Sequence, residues 1–70
     1  MKRADLIKRI TKAARSHDLT FEVKRHGARH DVYSLDGLMI PIEPHSEVDN
    51  RYAEMVCKEC EPKLGRRWWK

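Results

Sequence analysis

The stretch "LTFEVKRHGARHDVYSLDGLMIPI", Leu19 to Ile42, decides the fold. Leu19, Phe21 and Val23 alternate with Thr20, Glu22 and Lys24, the period of a half-buried strand over about residues 19–25. Gly27 breaks that run. "HDVYSL" predicts a second strand over about 30–34, and Asp36-Gly37 is a strong hairpin turn signal. "LMIPI" predicts a third strand over about 37–42. Pro41 has no N–H to give a ladder, so its position belongs at a sheet edge or a strand end.

Outward from the strands, the pattern becomes helical. "RADLIKRITKAARSHD" places Leu6, Ile7, Ile10, Ala13 and Ala14 at three- and four-residue spacing, which predicts a helix over about 3–17. Lys8, Arg9, Lys12 and Arg15 cover its other side. Beyond the strands, Ser46 with Asp49 three residues on resembles a capping box. A second helix is expected over about 47–61, with Tyr52, Met55, Val56 and Cys60 as its apolar stripe and Pro62 and Gly65 closing it. The fold class is therefore α+β: helix, three strands, helix, with both helices on one face of a three-stranded antiparallel sheet. The basic tail, residues 63–70, carries Trp68 and Trp69, which are expected to dock on the body because paired indoles are costly to leave in water.

Seventy residues make one domain. Such a chain buries only about 60% of its unfolded surface, so any site should be shallow and open. No apolar run approaches the roughly 20 residues of a membrane helix, and the charged N-terminus lacks the apolar region of a signal peptide. With two cysteines and no export signal, a cytoplasmic location with reduced thiols is expected. The net charge of +4 is unevenly spread: residues 1–30 carry +6, residues 31–62 carry −6 and the last eight carry +4. Segregation of that kind suits a polyanion on one face.

The histidines are the chain's most chemical residues. An imidazole can give or take a proton near neutral pH. Beside cations it can serve cleavage of an RNA phosphodiester, where the 2′-hydroxyl is the nucleophile and no cofactor is needed. His30, after Arg29 and just past Gly27, is the candidate, with Lys24 and Arg25 close by on the preceding strand. His45 stands just before the expected helix cap, where backbone N–H groups favour an anion. Lys8 and Lys12 extend the basic track. Asp31 is a candidate general base or orienting group for His30, though adjacent strand residues point to opposite faces, which makes pairing with His30 awkward. His17 and His26 read as surface residues. Tyr33 is placed either to stack on a base or simply to pack. His26/His30 and Cys57/Cys60 have zinc-ligand spacings, but in reversed order and 26 residues apart, so core thiols and no metal are expected.

Taken together, "MKRADLIKRI", "GARHDVYSLDGLMIPI", "PHSEV" and the "CEPKLGRRWWK" ending resemble the HicA toxins of bacterial HicA/HicB toxin–antitoxin systems. The resemblance spans nearly the whole chain. It implies a double-stranded-RNA-binding-like α-β-β-β-α fold and an endoribonuclease that cuts mRNA without a metal or small-molecule cofactor. It also implies a HicB-type antitoxin as partner and no membrane. The family's catalytic histidine follows a short Gly-containing turn, here Gly27-Ala28-Arg29-His30, so that role carries onto His30. The family's second motif, usually I-P-x-P-R-H, is here Ile40-Pro41-Ile42-Glu43-Pro44-His45. The histidine is kept, but Glu43-Pro44 replaces Pro-Arg, and Arg29 is expected to restore some of the lost positive charge. The alternative reading is a non-catalytic RNA-binding module of the same fold.

Overall fold

In the computed structural model, which describes residues 1–70, helix α1 runs over Arg3–Ser16 and buries Leu6, Ile10 and Ala14. Its exit is a Schellman motif: Leu19 N–H donates to the Ala14 carbonyl at 2.8 Å and Asp18 N–H to the Arg15 carbonyl at 3.0 Å. Asp18 occupies the left-handed position of that motif with φ 59°. Three strands follow, β1 (Phe21–His26), β2 (Asp31–Leu35) and β3 (Leu38–Ile42), paired antiparallel in the order β1-β2-β3. At the second hairpin Asp36 and Gly37 have φ of 50° and 90°, the two positive values a type I′ turn requires.

Strand alternation sends Leu35, Ile40 and Ile42 into the core, where they meet Leu6 and Ile10 of α1 and Ala53, Val56 and Cys57 of helix α2 (Asn50–Glu59). Each large aliphatic side chain buried there contributes about 1.5–3 kcal/mol. The opposite sheet face carries Val32, Met39 and Pro41, and Met39 is exposed. The α+β class, the three-stranded antiparallel sheet and the order helix–three strands–helix agree with the sequence reading.

Two boundaries differ from expectation. Helix α2 begins at Asn50 rather than near residue 47, and its cap is Asp49, which accepts the Arg51 N–H at 2.9 Å; Ser46 is not the cap. Residues 46–48 are instead paired with the chain start: Arg3 N–H donates to the Ser46 carbonyl and Val48 N–H to the Met1 carbonyl, both at 2.9 Å. That bridge satisfies the Arg3 N–H, one of the donors orphaned at the start of α1, which has no side-chain cap. At its other end α2 stops at Glu59, and Pro62 lies within a separate short helix, α3 (Glu61–Leu64), instead of closing the segment. The stripe of α2 also shifts: Ala53, Val56 and Cys57 are buried, while Met55 is exposed.

The tail docks as expected. The Trp68 indole N–H donates to the Cys57 carbonyl at 2.7 Å, and Trp69 packs edge-on against Trp68. Arg67, in the left-handed region with φ 56°, is held by its N–H to Glu61 Oε2 at 2.8 Å.

Candidate functional site

The β1–β2 hairpin presents the histidines, and a bulge sets which way they face. Val23 pairs with Tyr33 and Arg25 with Val32, which leaves Lys24 as an extra residue in β1. Along an unbroken strand His26 would share the face of Glu22 and Lys24. The bulge reverses the alternation beyond Lys24, so His26 lies opposite Asp31 on the helix-side face and Arg25 lies opposite Val32 on the open face.

Asp31 is the centre of a small polar network. Its side chain is only 13% exposed, and both oxygens are engaged: Oδ2 by an Arg3 guanidinium nitrogen at 2.8 Å, Oδ1 by His26 Nδ1 at 3.2 Å. Arg3 also donates through Nε to the Glu43 carbonyl at 2.6 Å and through its terminal nitrogen to the Tyr33 hydroxyl at 3.2 Å. Tyr33 stacks on Phe21, with ring centroids 4.9 Å apart. The Glu43 N–H donates to the Tyr52 hydroxyl at 3.0 Å, and burial pushes that phenol's pKa up. Helix α1, the sheet, the segment leaving β3 and helix α2 are thus tied together at one end of the sheet, where Asp31 pairs with Ile42.

His30 lies in the turn preceding β2 and is exposed. Its carbonyl accepts the Gly27 N–H at 3.0 Å. A Cβ on Gly27 would stand 2.5 Å from that oxygen, so only glycine fits the turn that presents His30. Arg29 is exposed in the same turn. Lys24 and Arg25 border a shallow depression on the open sheet face with Val32, Met39 and Pro41, and Lys24 also pairs with Glu22 at 3.0 Å.

The remaining candidates lie elsewhere. His45 is exposed in the connection between β3 and α2, four residues before Asp49, and so is not beside the helix cap. Lys8 is exposed on α1; Lys12 lines a cleft with Arg9, Trp68 and Trp69, on the helix layer and not on the open face that carries Lys24 and Arg25. The hairpin joins His30, Arg29, Lys24 and Arg25; it does not join them to Lys8 and Lys12.

Cys57 and Cys60 are buried free thiols. Burial pushes both pKa values up, Cys60 to about 12 with Cys57 and Glu59 adding to the effect, so both free thiols are protonated at neutral pH. No three His, Cys, Asp or Glu side chains converge in a way that would hold a metal ion.

Two contacts of this network escaped the sequence reading: the pairing of Asp31 with His26 rather than His30, and the part played by Arg3. A signal for the second existed. A cation in the first turn of a helix opposes the helix dipole at about 0.3–1 kcal/mol, which is a reason to look for a carboxylate partner. No family model, curated protein or solved structure matches this chain. No helix is long and apolar enough to cross a membrane.

Proposed function

We propose that this chain is a metal-independent endoribonuclease of the HicA toxin type, with a double-stranded-RNA-binding-like fold, acting on mRNA and neutralised by a HicB-type antitoxin. The observation that carries the reading is the Gly27–His30 turn. It holds an exposed histidine beside Arg29, in the same hairpin as the exposed cations Lys24 and Arg25. The order of motifs resembling HicA supports it, and so does the helix–three strands–helix order.

The chemistry fits an open site. The RNA 2′-hydroxyl attacks the adjacent phosphorus, and the pentacoordinate phosphate gathers negative charge. Arg29, Arg25 and Lys24 supply fixed positive charge near it, and His30 moves a proton. Glu43, at the position of the family's second proline, has its backbone clamped between Arg3 and Tyr52, which keeps that segment ordered even without the usual Pro-Arg.

The test is RNA cleavage by purified protein in excess EDTA, wild type beside His30→Ala. Cleavage by wild type, lost in His30→Ala and suppressed by a HicB-type protein, is the expected result. RNA that is shifted in a gel but never cut would replace this reading with a non-catalytic RNA-binding module.

A further inference from the structure

His26 is the one histidine whose ring has a hydrogen-bonding partner. The bulge at Lys24 turns it across the ladder from Asp31, and Nδ1 meets Asp31 Oδ1 at 3.2 Å. Asp31 is not free to swing away, because Arg3 holds its other oxygen and is itself locked by the Glu43 carbonyl and the Tyr33 hydroxyl. The imidazole remains 75% exposed, so a substrate can reach it. A buried, clamped carboxylate against one nitrogen of an exposed imidazole is how a protein sets a tautomer. In the neutral ring the proton stays on Nδ1, which leaves the lone pair on Nε2.

We propose that His26 is the second proton-transfer residue of the ribonuclease, with Asp31 and Arg3 as its positioning residues; this rests on the functional reading above. Metal-free cleavage needs both a base for the 2′-hydroxyl and an acid for the leaving oxygen, and His30 fills only one of these roles. His26 ends β1 at the edge of the turn that carries His30, whose carbonyl accepts the N–H of Gly27, the residue after His26. In the balanced step the 2′-oxygen forms a bond to phosphorus while its proton passes to His26 Nε2. The bond from phosphorus to the 5′-oxygen breaks, and that oxygen takes a proton from the His30 imidazolium. The products are a 2′,3′-cyclic phosphate and a 5′-hydroxyl. No water, metal or electron enters. The charged group against the His26 ring is Asp31, held in turn by Arg3, while Arg25 beside it on the strand faces the open side of the sheet.

The experiment compares wild type, His26→Asn, His26→Ala and His30→Ala on a short RNA bearing the wild-type cut site. The same RNA with sulfur as the bridging 5′ atom is run beside it, because sulfur departs without protonation. His26→Asn keeps a side-chain N–H for Asp31 but cannot take a proton, and its thermal melt should match wild type. Both His26 variants are expected to lose about 100-fold or more on either RNA and to lose the acid-side limb of the pH–rate profile. His30→Ala should lose the ordinary RNA and recover on the sulfur substrate. His26→Asn that cuts ordinary RNA within a few-fold of wild type while His30→Ala is dead overturns this inference and leaves the ribonuclease reading standing. So does recovery of the His26 variants on sulfur. Wild type that cuts neither RNA overturns both.

Discussion

Gly27 and His30 approach each other so closely that a side chain on the first would collide with the carbonyl of the second, 2.5 Å from an added Cβ. Their hydrogen bond closes the turn from which His30 projects. Gly27→Ala must therefore shift backbone against backbone, at a cost of about 1–3 kcal/mol. The expected result is a melting temperature lower by roughly 5 °C or more for a domain of this size, together with loss of RNA cleavage. A variant that melts and cuts like wild type would show that the turn relaxes freely.

Arg3 is the second point of weakness. Arg3→Ala leaves Asp31 nearly buried without its main partner and strips donors from the Glu43 carbonyl and the Tyr33 hydroxyl. A loss of about 2–4 kcal/mol in denaturant unfolding is expected. Arg3→Lys should recover only part of it, because a single ammonium cannot span three acceptors in one plane as a guanidinium does. Full recovery with lysine would mean that charge alone matters there.

Asp18 offers a gain. It sits at φ 59° at the left-handed position closing α1, where glycine meets no Cβ penalty. Asp18→Gly should stabilise the fold by about 0.5–1 kcal/mol, read as a rise in denaturant midpoint at unchanged slope. None of the residues proposed to act on RNA is touched, so the proposed cleavage should not change.

The thiols predict an alkaline weakness. Burial raises the Cys60 pKa from an ordinary 9.0 to about 12, so the folded state keeps its proton while the unfolded chain releases it. The stabilisation is complete below about pH 9 and is lost as pH climbs through that window towards about 12. Cys57 and Tyr52 shift the same way. Melting temperature should fall steadily above pH 9, and less steeply in Cys60→Ala. A thiol reagent at pH 8 should modify neither cysteine until denaturant is added; rapid labelling of the native protein would contradict the burial.

The hairpin and the helix faces were legible in the sequence because they rest on local rules. Asp36-Gly37 can take the positive φ values of a type I′ turn, Leu6, Ile10 and Ala14 recur at helical spacing, and Phe21 and Val23 alternate. Gly27 and His30 stood out for the same reason. What the local pattern misses is anything set by a partner far along the chain. Ser46 looked like a helix cap, but residues 46–48 pair with Met1 and Arg3, and the helix starts later at Asp49.

His26 shows the limit most sharply. Its two-residue alternation sends it to the open face, and a single extra residue at Lys24 reverses that and sets it against Asp31. Composition and periodicity thus determined the elements, their order and the exposed basic hairpin. Tertiary structure alone decided which carboxylate faces which histidine, because a bulge is a mismatch between two strands, and the clamp on Asp31 comes from Arg3, 28 positions away.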